Sequence, residues 1–185
     1  MFLKTKNIPK LKSIISSGQR SFCDPDLNKK YKAIDKLSNI KSKEAEDTLF
    51  ELLDSNLCQN LTRSIVLNFA DNPTTRRIKK LFLVLQESTG FLYGGAIFSL
   101  CEIYENKAYE FSLHDEIEFI LMDTLLNERV KIASEELTAI AEALKDIHSE
   151  KIDAVLLSFL KWDKSALGYE SILEIIAYRT TLITD

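Results

Sequence analysis

Apolar residues recur along the chain at three- and four-residue steps, separated by short polar breaks. The clearest case runs from Ser112 to Ile147. Leu113, Ile117, Ile120, Leu121 and Leu125 form one set, and Leu137, Ile140, Ala141, Leu144 and Ile147 form the next. Such spacing places each set on one face of a helix. Asn127 and Glu128 form the polar joint between them, a length that predicts an antiparallel helical hairpin. Neither helix can bury its stripe alone, so the hairpin needs neighbours.

The rest of the chain repeats the pattern. Ile8, Leu11, Ile14 and Ile15 form a partial stripe among lysines, which predicts a short capping helix before the break at Ser16-Ser17-Gly18. Asp24-Pro25-Asp26 reads as the start of a helix carrying Leu27, Tyr31, Ile34 and Leu37. Ser42 is expected to cap the next helix, with Ala45, Leu49, Leu52 and Leu53, and the chain returns through Leu61, Ile65 and Phe69. Pro73 is expected in the first turn of a helix bearing Ile78, Leu81, Phe82 and Leu85. Its return carries Ala96, Ile97, Leu100 and Ile103 to about Tyr104. Beyond the central hairpin, Ile152, Val155, Leu156 and Phe159 predict one more outward helix, and Ile172, Leu173 and Ile176 its return.

Leu53, Leu85, Leu126 and Leu160 each close an outward helix, at spacings of 32, 41 and 34. Ile65, Ile97, Leu137 and Ile172 hold similar places on the return helices, at spacings of 32, 40 and 35. The two series drift together, as a repeated helix pair would make them do. Polar turns such as Leu53-Asp54-Ser55 and Leu126-Asn127-Glu128-Arg129-Val130, followed by a return helix with the small residue Ala133, resemble HEAT-type repeats over residues 42–178. The resemblance implies an all-α fold, a right-handed α-solenoid of about four helix pairs. The expected organisation is a basic leader or capping segment over residues 1–25 and a single helical repeat domain over 26–185.

Composition agrees with a helical reading and narrows the chemistry. With 5 Gly and 3 Pro in 185 residues, a turn-rich β fold is excluded. Cys23, Cys58 and Cys101 are odd in number and form no CxxC pair, so no disulfide framework is expected. The longest apolar run, Leu81–Leu85, is far too short to span a bilayer, and the first residues lack the apolar core of a signal peptide. A cytoplasmic protein with no membrane partner is the expectation. Residues 1–43 hold 11 Lys and Arg against 3 Asp and Glu, a net of +8, and residues 44–185 hold 13 against 25, a net of −12. An acidic body weighs against nucleic acid as the ligand and favours a basic protein partner.

No catalytic signature is present, so an enzyme is not expected, and neither a cofactor nor a metal site is. His114 and His148 each precede a terminal leucine by twelve residues, as polar residues near helix starts, and neither lies in an HExxH pattern. Gly94 and Gly95, in a predicted return helix, lack the GK[ST] or GxGxxG context of a phosphate loop and instead predict close approach to a neighbouring helix. Arg76, Arg77, Lys79 and Lys80 read as a solvated face, with phosphate contact as the alternative.

The carboxylates are the most informative set. Glu102 and Glu105 close one return helix, Glu135 and Glu142 share the polar face of the next, and Glu170 and Glu174 that of the last. The HEAT resemblance implies that return helices line a concave face, which would stack these residues into one acidic groove. Tyr109 and Tyr169 lie near the same edge, with Tyr104 and Tyr178. Tyrosine beside acid suits a protein interface. Partner-binding residues are therefore expected at Glu102, Glu105, Tyr109, Glu135, Glu142, Tyr169, Glu170 and Glu174. Some bacterial toxin-immunity proteins are short HEAT-type solenoids, and the resemblance implies an inhibitor that occludes a basic toxin, such as a nuclease. A general scaffold or adaptor is the alternative, and a solenoid-type enzyme, glycosylase-like or bilin lyase-like, a more distant one.

Overall fold

The computed structural model describes residues 7–17, 26–106, 113–127, 134–147, 149–159, 161 and 168–184. Among the described residues it is all-α, with ten helices and no strand. These are α1 (Ile8–Ser16), α2 (Leu27–Ser38), α3 (Lys43–Leu53), α4 (Gln59–Leu67), α5 (Thr75–Glu87), α6 (Gly90–Asn106), α7 (His114–Asn127), α8 (Ser134–Ala143), α9 (Glu150–Phe159) and α10 (Tyr169–Thr184). The chain divides into two compact units, Met1–Ser99 and Leu100–Asp185.

In the first unit α1 packs on α2 and α3, α2 on α3 and α4, and α3 on α4. The stripes form the core: Ile34, Leu37, Leu49, Ile65, Ile78 and Leu81 are fully buried. Full burial of such a side chain is worth about 1.5–3 kcal/mol relative to exposure. Helix starts follow local chemistry. The Ser42 hydroxyl accepts from the Ala45 N–H at 3.2 Å, as expected of a cap. The expectation for Pro73 is corrected: α5 begins at Thr75, and the Thr74 hydroxyl caps it by accepting from the Arg77 N–H at 3.2 Å. Thr74 can take the extended backbone of a cap and supply the acceptor, which leaves Pro73 outside the helix.

Gly95 gives α6 its close approach to α4. A Cβ there would lie 3.1 Å from Arg63 Cγ and 3.6 Å from Val66 Cγ1. One turn further on, the buried Ser99 hydroxyl donates to the Val66 carbonyl at 2.9 Å. The Arg63 guanidinium lies over Phe91 and Phe98, 5.7 and 6.0 Å from the ring centroids.

The basic cluster on α5 is also corrected. Arg77 is 1% exposed and donates to the Ser38 carbonyl at 2.8 Å and the Asn72 carbonyl at 2.9 Å. Its Nε is 3.6 Å from Glu46, an ion pair without hydrogen-bond geometry. Burial pulls its pKa down, opposed by Glu46 and Asp71. Arg76 pairs with Glu46 and Asp47, and Lys80 with Asp54. The cluster ties α5 to α3, and of the four only Lys79 stands exposed without an ion pair among the described residues.

In the second unit α7 packs on α8 and α9, α8 on α10, and α9 on α10. Ile117, Leu121, Leu125, Ile140, Leu144, Ile152, Leu156 and Ile172 are its fully buried centre. The joint expected at Asn127-Glu128 runs into residues 128–133, which lie outside the described residues. Helix α8 is described from Ser134, with Glu135 and Glu136 in the first turn described, where carboxylates complement the helix dipole. Arg179, 5% exposed, reaches from α10 to Asp153 at 2.6 Å, to the Leu144 and Lys145 carbonyls at 3.1 and 3.0 Å, and to the Ser149 carbonyl at 3.4 Å. It closes the end of α8 and the start of α9 with one side chain.

Candidate functional site

The last turn of α6 and the end of α8 meet at a cleft of about 450 Å³. Tyr104, Ala143 and Ile147 supply its apolar surface, and Glu105, Glu142 and Asp146 its carboxylates. Tyr104 is buried because it falls on the stripe of Leu100 and Ile103, and Glu105, one residue on, faces outward. Partial burial pushes the Glu105 carboxyl above its usual range, and the charges of Glu142 and Glu102 push it the same way, against the pull of Lys145.

Among the described residues Lys145 is the one lysine or arginine lining the cleft. It is held by Glu142, with Nζ to Oε1 at 2.5 Å, and lies over the Tyr178 ring at 5.8 Å. The Tyr178 hydroxyl donates to Asp146 at 2.8 Å, a bond that pushes the phenol pKa up. On the other wall the Tyr104 hydroxyl donates to Glu118 at 2.8 Å, and the His114 ring lies against Tyr104 with centroids 4.5 Å apart. The His114 Nδ1 is 3.8 Å from Asp115 and 3.9 Å from Glu118. Among the described residues no group of three or more His, Cys, Asp or Glu is placed to hold a metal ion. Burial pushes the Cys101 thiol strongly up, with Glu105 adding to it, which disfavours the thiolate a nucleophile needs.

Of the acids expected at an interface, Glu102 and Glu142 both come within electrostatic reach of Glu105. Glu135 is exposed in the first turn of α8, Glu170 in the first turn of α10, and Glu174 a turn further along α10. Tyr169 is half-buried. Tyr109 and His148 lie outside the described residues. Sequence reasoning did not single out Asp146, Glu118 or the engaged state of Lys145. Asp146 follows the last turn of α8, where the helical period no longer indicates direction, and Glu118 enters only through Tyr104 from another helix.

Together the fold and the cleft describe an all-helical protein with an acid-lined recess. Comparison with protein-family models, with curated proteins and with solved structures finds no match. No described helix is long and apolar enough to cross a membrane.

Proposed function

We propose that this chain is a protein-binding module of HEAT-like helix pairs whose acidic face receives a basic partner. Its most concrete form is an immunity protein that occludes a toxin such as a nuclease. The observation that carries the reading is the convergence of Glu102, Glu105, Glu142 and Asp146 beside Tyr104 and Tyr178, with Lys145 already engaged by Glu142. Partial burial, and after it repulsion from Glu142 and Glu102, raises the Glu105 pKa, and a cationic side chain entering the cleft would offset both, so the partner's charge would be matched by a site prepared for it. The paired packing supports the repeat. Within the second unit, first helix packs on first (α7 on α9) and second on second (α8 on α10), as stacked helix pairs require.

The test is a tagged full chain incubated with extract of its native host, treated with nuclease and washed at low and high salt. The expected result is one basic protein at near one-to-one ratio, lost in a Glu105→Lys/Glu142→Lys variant, whose activity the wild-type chain inhibits. An acidic partner, or retention by the variant, would refute the cleft as the site. A partner that is bound without being inhibited would favour an adaptor.

A further inference from the structure

The first unit carries a recess of opposite sign. Between α1 and α2 lie two overlapping concavities of about 420 and 670 Å³. Leu11, Ile14 and Ala33 provide the apolar floor. Lys10, Lys29, Lys32 and Lys36 stand around it, all exposed and none with an ion-pair partner among the described residues. Other cations of the same unit are engaged: Lys12 by Glu51, Arg76 by Glu46 and Asp47, Lys80 by Asp54. The carboxylate on the lining, Asp35, sits at the end near Ile40 and accepts from the Asn39 amide at 3.2 Å.

We infer that this groove docks an acidic amphipathic helix of a partner protein. Lys29, Lys32 and Lys36 are spaced i, i+3 and i+7, so they form a row about 10 Å long on one face of α2. A helix laid beside that row presents carboxylates at the same spacing to the amines and its apolar ridge to Leu11, Ile14 and Ala33, the helix-in-groove mode of recognition. Nucleic acid fits less well, because neither an aromatic ring nor an arginine lines the recess to stack on bases. A membrane surface fits less well, because the apolar residues lie at the bottom of a concavity that a flat bilayer does not enter. The site is independent of the acidic cleft, and it gives the chain a second partner surface of opposite charge.

The experiment uses the full chain and a fluorescein-labelled synthetic peptide with leucines at helical three- and four-residue spacing and glutamates on the flanks. Its control has the same composition with the leucines scattered. Fluorescence anisotropy should show binding of the patterned peptide that weakens with salt, and a loss of about tenfold or more, equivalent to ~1.4 kcal/mol, in Lys29→Glu/Lys36→Glu. Leu11→Gln should weaken the patterned peptide and leave the weaker charge-driven binding of the control unchanged. Circular dichroism of each variant separates a lost site from a lost fold. Equal binding of the two peptides, or no effect of the lysine changes, would overturn the proposal. So would stronger competition by a single-stranded oligonucleotide or by anionic vesicles than by the unlabelled peptide. Salt-sensitive dimers in sedimentation velocity that vanish in the lysine variant would place a second copy of the chain in the groove, and would also overturn it.

Discussion

Replacing Arg77 with methionine tests the buried polar hub of the first unit most directly. Methionine keeps much of the length and fills the site beside Phe69, over which the guanidinium sits at 5.7 Å. It removes the donors to Ser38 and Asn72, at 2.8 and 2.9 Å. A hydrogen bond to a charged group is worth about 1.5–3 kcal/mol. Two such bonds, and carbonyls left short of donors in a dry site, give an expected loss of about 3–5 kcal/mol, the range for breaking one side of a buried pair. Two features keep the loss from growing further. Asn72 also reaches the Ser38 carbonyl, at 3.5 Å, and Glu46 keeps Thr74 at 2.5 Å and Arg76 at 3.0 Å. Urea unfolding followed by circular dichroism should show a midpoint lowered by roughly 2 M, for a slope of about 1–3 kcal/mol/M. Hydrogen exchange should report the loss of protection in peptides from α2 and α5. A loss below about 1 kcal/mol would refute the reasoning, since the carbonyls would then be satisfied without the guanidinium.

Two further outcomes follow from other sites. The folded-state pKa of Glu105 is raised above its ordinary 4.5, so its contribution to stability is fully present below that value and is lost as pH rises through the folded pKa. Glu105→Gln should therefore be more stable than wild type at neutral pH, by a small amount because the group is largely solvated, and the gap should close on acidification. A gap that widens on acidification would reverse the sign and the argument. Gly90 has φ +63° with open space where a Cβ would go, so Gly90→Ala should lower stability through backbone strain alone, by about 1–2 kcal/mol, and thermal melts of the variant beside wild type would read it.

Much of the helical order was legible because the apolar period is unbroken through α3, α4, α5 and α6, and because Ser42 stands where a cap must. Ile65, Ile97, Leu137 and Ile172, singled out by spacing, are all 2% exposed or less. Arg77 carried a readable signal that charge overrode: it lies four residues before Leu81 and seven before Val84, on the stripe. Arg179 is in phase with Ile172 and Ile175 in the same way. An arginine in register with a buried stripe indicates a partner inside, and its carbonyl acceptors come from helix ends and turns that no local pattern identifies. In the cleft, Glu142 could be placed opposite Leu137 and Leu144 from spacing, whereas its meeting with Glu105 depends on the packing of separate helices.

The reach of Arg77 has a consequence for how the protein emerges from the ribosome. Its bond to Ser38 spans 39 residues. At roughly 5–20 residues per second, synthesis separates the carbonyl from its donor by about 2–8 s. For that interval α2, α3 and α4 can form local turns while the end of α2 and the Glu46 carboxylate wait in water for a guanidinium not yet made. The nascent first unit lacks this tie until α5 arrives, and a translational pause just before residue 77 would prolong the stage at which the α2 end goes without its guanidinium.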